Sequence, residues 1–271
     1  MTALQTHLQT KSFSFEGHTI EYFIAGSGPA VVLLHGAGAS ARSNWQSTIA
    51  HLAPGRTVLA LNLPGAGNTT WHQAEVSLDA LSRLVMALVA QEKLSRFSLV
   101  GYSTGAMVAL RTAAQFPGCV DKLVAIAPWL ENDARMRFFF DLWGQLLERD
   151  PSLFARYNTL TALSHLAHGQ MDQSAFEVTV QSFATAGFNA DLDKLIRMNQ
   201  TASVVKDLSA ITAQTTVVGF SFDNICPVGY AKAVAGGVTG AVFVEIPAGH
   251  AGPWEATGQL NGAILTALAG A

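Results

Sequence analysis

Phe97-Ser98-Leu99-Val100-Gly101-Tyr102-Ser103-Thr104-Gly105-Ala106-Met107-Val108-Ala109-Leu110 is the stretch on which the fold is decided. Its first four residues form a short, mostly apolar run that reads as a strand buried in a sheet, and Ala106 to Ala114 reads as a helix. Between them lies Gly-x-Ser-x-Gly. Strand, sharp turn and helix are the context in which that spacing holds a nucleophilic serine. A side chain at such a bend cannot fold back on either element, so Ser103 should stand exposed above the sheet edge, on strained backbone that its neighbours hold in place. Gly101 and Gly105 suit a turn that brings helix and strand backbones too close for a Cβ. The helix start also points amide N–H groups and the positive dipole end at the hydroxyl.

Working outward, the chain alternates. Ser12 to Phe15 and Thr19 to Ala25 read as a hairpin turning at Glu16-Gly17. Gly26-Ser27-Gly28-Pro29 is a turn, and Ala30 to Leu34 a strand buried on both faces. It runs into His35-Gly36-Ala37-Gly38-Ala39-Ser40, small residues past which a ligand can come close to the backbone. A helix over Ala41 to Leu52, a strand over Thr57 to Leu61 and a helix capped by Ser77 follow. Pro117-Gly118 ends the helix after the serine, and Leu123 to Ala127 is a further strand. This is βαβ spacing, which predicts an α/β fold with a mostly parallel twisted sheet flanked by helices.

From Pro128 the pattern changes. Between Trp129 and Thr212 the spacing predicts helices and no strand: Met136, Phe139, Phe140, Trp143 and Leu147 along one face, with Phe138 and Leu142 on a second. Further helices are suggested by Leu160 with Leu163, by Phe176 with Val180 and Phe183, and by Leu192 with Leu195 and Ile196. A segment of about eighty residues is too long for a loop. The expected organisation is a core of residues 1–128 and 213–271, with residues 129–212 inserted as a helical cap over the sheet's top edge. The alternation then resumes with a strand over Thr215 to Phe220, a helix over Val228 to Val234, a strand over Ala241 to Ile246 and a closing helix over Glu255 to Leu268.

Bulk composition narrows the function. Hydrophobic residues make up 49% and charged residues 13%, so much surface should be buried, with room for an interface between copies in a homo-oligomer. A net charge of −3 argues against nucleic-acid binding. No apolar run approaches the length of a membrane span. Met1 to Leu8 lacks a basic region followed by an apolar one, which points to a cytoplasmic protein. Cys119 and Cys226 form no metal-spacing motif, and a disulfide between them is not the favoured reading. No phosphate loop or dinucleotide fingerprint appears, so no cofactor and no metal are implied.

A serine hydroxyl needs a base within reach, and the base needs an orienting acid. In a parallel sheet these belong on loops at the strands' C-terminal ends. Two such loops follow Ser103: one holds Asp223, three residues past Phe220, and the other holds His250 in Pro247-Ala248-Gly249-His250-Ala251-Gly252-Pro253. An Asx turn is the other reading of Asp223, and Asp133 is the fallback acid. His35 reads as a structural hydrogen-bonder, and His165 and His168 as bland residues of the insertion. Two backbone N–H groups should receive an oxyanion, that of Thr104 after the nucleophile and that of Ala37 after Leu34. Phe139, Trp143 and Trp129 are candidates to contact substrate.

His35-Gly36-Ala37-Gly38, Leu63-Pro64-Gly65-Ala66-Gly67, Gly101 to Gly105, Asp223 and Gly249-His250 together resemble the α/β-hydrolase superfamily. The resemblance spans nearly the whole chain outside the insertion. It implies Ser103 as nucleophile, His250 as base and Asp223 as acid. Asn62 stands where the superfamily's Asp-x-Pro-Gly loop has Asp, a position that is generally structural. Ser43-Asn44-Trp45 and Trp254-Glu255 are also similar to the meta-cleavage-product hydrolases, although Ala251 stands where those enzymes carry Trp; that resemblance implies a substrate-binding Arg in the insertion, for which Arg197 is the candidate. The leading expectation is a cofactor-free serine hydrolase acting on an ester, thioester or lactone of a small, largely apolar substrate. C–C bond hydrolysis, a lyase or cyclase reusing the same residues, and a ligand receptor on the same scaffold are the rivals. The serine at the nucleophile position disfavours haloalkane dehalogenase and epoxide hydrolase chemistry.

Overall fold

A computed structural model of the chain describes residues 8–185 and 189–269. The reading of the N-terminus falls, apart from Leu8, outside the described residues. The chain opens with β1 (Gln9–Phe15) and β2 (His18–Ala25), paired antiparallel. Their turn places Glu16 at φ 48° and Gly17 at φ 84°, the left-handed pair that matches the twist of a two-residue hairpin. There follow β3 (Ala30–Leu34), α1 (Ala41–Leu52), β4 (Thr57–Leu61), α2 (Leu78–Gln91), β5 (Phe97–Tyr102), α3 (Thr104–Gln115) and β6 (Val120–Ile126). Five helices come next: α4 (Ala134–Arg149), α5 (Pro151–Ala162), α6 (His165–His168), α7 (Gln173–Ala184) and α8 (Leu192–Asn199). A 3₁₀ turn at Leu208–Ala210, β7 (Gln214–Phe220), α9 (Val228–Gly237), β8 (Val242–Ile246), α10 (Gly252–Glu255) and α11 (Thr257–Ala269) follow among the described residues.

The eight strands form one sheet in the order β1-β2-β4-β3-β5-β6-β7-β8. β2 pairs antiparallel with β1 and β4, and every other neighbour pair is parallel. β3 and β5 are buried along their whole length, because helices cover both faces of the sheet, and apolar runs rather than alternation are what such strands require. Strand order reverses around β3, with β4 on one side and β5 on the other. A crevice opens beyond the strand ends at such a reversal, and there the loops after Leu34 and Tyr102 meet.

The helix starts follow the local chemistry. Ser40 caps α1, its hydroxyl accepting from Ser43 N, and Ser77 caps α2 by accepting from Ala80 N. Three details depart from expectation. The helix after the serine begins at Thr104, because the bend is completed within one residue. α4 buries Met136, Phe139, Phe140 and Trp143, but Phe138 on its second apolar face is 70% exposed. The helix packs against α5 and α8. The closing helix starts at Thr257 rather than Glu255, because Ala256, at φ −128°, separates it from the short α10.

The approach of α3 to the sheet is a tight constraint. A Cβ on Gly101 would lie 2.2 Å from the Gly105 carbonyl oxygen, and one on Gly105 2.2 Å from that of Leu34. Both obstacles are backbone and cannot swing away. Gly105→Ala should therefore destabilise the fold by about 3 kcal/mol or more. Urea unfolding of the variant measures this, and a midpoint equal to that of the wild type would refute the packing account.

Candidate active site

The turn between β5 and α3 puts Ser103 at φ 54° and ψ −119°, a region that costs a non-glycine residue about 1–3 kcal/mol. Hydrogen bonds hold it there. Ser103 N donates to Ile126 O at 2.8 Å, and Ser103 O accepts from Ala106 N at 2.8 Å. As the first residue of α3, Thr104 keeps an N–H with no intrahelical acceptor.

The loops after β7 and β8 bring two more side chains to the serine. His250 Nε2 lies 3.0 Å from Ser103 Oγ, and His250 Nδ1 lies 2.7 Å from Asp223 Oδ2. Asp223 uses its other oxygen to accept from Ile225 N at 2.8 Å and Cys226 N at 2.7 Å. Asp223 thus makes an Asx turn with one oxygen, and that turn aims the other oxygen at the His250 ring. With Nδ1–H donating to the carboxylate, Nε2 is left as an acceptor facing the hydroxyl. Ser103, Asp223 and His250 are only 8%, 6% and 5% exposed. Tyr102 was not singled out as a site residue from the sequence. Its ring packs 5.1 Å from that of His250, and its hydroxyl donates to His250 O at 2.6 Å. Burial, with the nearby Asp223 charge, raises the Tyr102 phenol well above its usual range, so it remains a donor.

Neighbouring groups have other work. His35 is buried, with Nδ1–H donating to Gly36 O at 2.8 Å and Nε2 accepting from Leu63 N at 3.0 Å. Burial pushes its pKa down to about 4. Asp133 caps α4 by accepting from Met136 N at 2.8 Å and also takes the Tyr230 hydroxyl. Those two bonds hold its carboxyl below the usual range. It is Asp223, not the fallback Asp133, that reaches His250. Asn44 Oδ1 accepts from Gly36 N at 3.1 Å and steadies the loop that carries Ala37. Cys119 and Cys226 are free thiols.

The helices between β6 and β7 touch all three loops. Asn199 Nδ2, at the end of α8, donates to Thr104 Oγ1 at 2.8 Å. Arg135 of α4 donates to Ile225 O at 3.0 Å and to Asn224 O, beside Asp223. Glu255 accepts from Ser164 N at 2.8 Å and from Gly249 N at 3.2 Å, bridging the α5–α6 corner to the histidine loop. Ala251 N adds a bond to Ala162 O at 2.8 Å. Trp129, Phe139 and Trp143 are buried in an aromatic cluster with Phe140. Arg197 is elsewhere. It pairs with Asp193 at 2.6 Å on the exposed face of α8 and lines a surface cleft of about 790 Å³ that none of the three loops reaches. His165 packs edge-on against Phe222 and His168 bonds Leu160 O. Among the described residues no group of three His, Cys, Asp or Glu side chains could hold a metal ion, and no helix is long and apolar enough to cross a membrane.

The family model described as the alpha/beta hydrolase fold matches residues 29–257. The chain belongs to the α/β-hydrolase family. A pyrrolizixenacetamide deacetylase of Xenorhabdus hominickii is 28% identical over 232 residues, covering 85% of this chain and 87% of that protein. A pimeloyl-[acyl-carrier protein] methyl ester esterase of Vibrio campbellii is 36% identical over 147 residues, 51% of this chain and 55% of that one. Among solved structures, an α/β hydrolase from a Medee basin deep-sea metagenome library superimposes with a TM-score of 0.88 at 21% identity, covering 96% of this chain and 98% of that one. The enol-lactonase of Burkholderia xenovorans gives 0.84 at 16% identity, covering 96% of this chain and all of that one. At such identities the structural likeness speaks for the fold. Family and relatives together make this α/β-hydrolase chain a hydrolase.

His35 gives a stability prediction with a definite sign. The folded ring titrates near 4 and the unfolded ring near its ordinary 6.5. The folded state thus favours the neutral form, and its advantage is whole above pH 6.5 and lost as pH falls toward 4. That window should cost roughly 3 kcal/mol. Melting temperature across pH 4 to 7 reads it. His35→Gln, which gains no proton there, should start less stable but show a shallower acid slope; an unchanged slope would mean that His35 is not its source.

Proposed function

We propose that this chain is a serine hydrolase that opens an ester, thioester or lactone of a small, largely apolar substrate through an acyl-enzyme. The observation that carries the reading is the continuous chain from Ser103 Oγ through the His250 ring to the Asp223 carboxylate, with links of 3.0 and 2.7 Å. His250 takes the hydroxyl proton as Ser103 attacks the carbonyl carbon. The tetrahedral oxyanion falls to the N–H groups of Thr104 and Ala37, and Asp223 stabilises the imidazolium. Collapse breaks the bond to the leaving group, which departs with the proton from His250. Water, deprotonated by His250, then attacks the acyl-enzyme and releases the acid and free Ser103.

Two supports stand beside the geometry. A methyl ester esterase and a deacetylase among the relatives fit acyl transfer to water. The helices of residues 129–212 act as a cap, with α8 seated against the serine turn and the cluster of Trp129, Phe139 and Trp143 as its apolar body. Arg197 has no part in this reading, since Asp193 holds it at the surface. The similarity of Trp254-Glu255 to C–C hydrolases loses its force, because Glu255 is spent on two backbone amides and Trp254 packs on Phe183.

Ser103→Ala should lower turnover of p-nitrophenyl esters by about 10⁶-fold, and Asp223→Asn by about 10⁴-fold. Asp133→Asn should stay near wild type. Turnover in Ser103→Ala close to that of the wild type would end the proposal, and loss of activity in Asp133→Asn with retention in Asp223→Asn would reassign the acid.

A further inference from the structure

We propose that Asn199 is a positioning residue for this reaction: from the end of α8 its side-chain amide holds Thr104, and thereby sets the N–H that receives the oxyanion. The inference rests on the serine-hydrolase reading and adds a group that the nucleophile motif does not contain.

Asn199 is fully buried, Thr104 is 1% exposed, and the bond between Asn199 Nδ2 and Thr104 Oγ1 is 2.8 Å long. The donor is itself fixed. Asn199 O, one of the carbonyls that a helix end leaves without an intrahelical partner, accepts from Asn132 Nδ2 at 2.5 Å. Asn132 lies between β6 and α4, so the amide is located by the same strand that fixes Ser103 N through Ile126 O.

The amide is not needed to seat the helix. Leu192, Leu195, Ile196 and Met198 are buried on α8, which packs against α4. Asn199 is moreover an awkward residue for packing alone, since its Oδ1 is buried with no partner, a condition that costs about 1–3 kcal/mol. An apolar side chain would avoid that cost. What the amide does secure is the rotamer of Thr104, a β-branched residue stiff about χ1. Without it the hydroxyl can turn to backbone groups of its own turn, as threonines at helix starts do. The peptide that carries the Thr104 N–H is held on its carbonyl side by Ala106 N at 2.8 Å and Met107 N at 3.2 Å, and the Asn199 bond adds a restraint on its Thr104 side. A shift of about 1 Å in a group that meets the transition state can cost about 100-fold.

The test is a double-mutant cycle read with p-nitrophenyl butyrate and with the rate at which a fluorophosphonate labels Ser103. Asn199→Ala and Thr104→Val should each lower kcat by about 10- to 100-fold, with KM changed less than about twofold. Labelling should slow in parallel, because the phosphoryl oxygen must meet the same N–H pair. Thr104→Ser, which keeps the hydroxyl, should recover most of the kcat that Thr104→Val loses. Combining Asn199→Ala with Thr104→Val should cost no more than either alone. Wild-type kcat in Asn199→Ala, or a Thr104→Val penalty equally large with and without Asn199, overturns the proposal. Should Asn199→Ala fail to fold, Thr104→Val against Thr104→Ser decides, and equal kcat in those two refutes it. Ser103→Ala separates the two levels: if it stays active, the hydrolase reading itself has failed, whereas a dead Ser103→Ala beside a fully active Asn199→Ala sinks only this inference.

Discussion

One residue in a left-handed conformation governs this molecule. Ser103 turns the chain from β5 to α3 in a single step, at φ 54°. A turn so short leaves no room between the elements it joins, and so Gly101 and Gly105 admit no Cβ against backbone oxygens 2.2 Å away. The same shortness starts α3 directly at Thr104, with its first N–H free beside the serine hydroxyl. Strain, close packing and an open donor are three results of one local geometry. The buried runs of β3, β5 and β6 hold that geometry rigid around it.

The partners of Ser103 come from far along the chain, and the inserted helices keep them in register. The serine turn, the aspartate loop and the histidine loop are fastened by Asn199, Arg135 and the Ser164–Glu255–Gly249 bridge respectively. None of these contacts lies in the sheet. The packing at Gly249 is nearly as tight as at the serine turn, since a Cβ there would lie 2.4 Å from Ser164 N. A helical layer that only covered a site could be loosely attached. This one meets each loop through hydrogen bonds to backbone or to a buried hydroxyl, so displacing it would leave polar groups without partners.

What could be read from the residues was what depends on local chemistry. The hairpin at Glu16-Gly17, the cap at Ser77 and the apolar runs of β3 and β5 are each decided within a few residues. The loops of Asp223 and His250 were legible because a strand end announces where a loop must emerge. The bond from Asn199 to Thr104 spans 95 residues, and nothing in either neighbourhood marks it. Phe138 shows the converse: helical spacing records which residues share a face, but not whether anything packs on that face. Tyr102 occupies a variable place in its motif, and its bond to His250 O depends on the depth of the strand end rather than on any pattern.

Asn62 shows how a departure from the family pattern can be settled by a distant residue. Its Oδ1 accepts from Ala41 N at the start of α1 at 2.8 Å, a task that an aspartate could perform equally well. Its Nδ2, however, donates to Glu21 Oε2 at 2.6 Å, and an aspartate has no donor to offer there unless protonated. Two buried carboxylates at that distance would have to share a proton. Glu21 also takes Asn68 N at 3.1 Å and Asn68 Nδ2 at 2.6 Å, tying β2 to the Leu63–Asn68 loop. With a glutamate at position 21, an amide at position 62 is the residue that satisfies both the helix start and the carboxylate. The exchange therefore belongs to the packing of β2 against the loop after β4, and it leaves the chain of groups from Ser103 to Asp223 untouched.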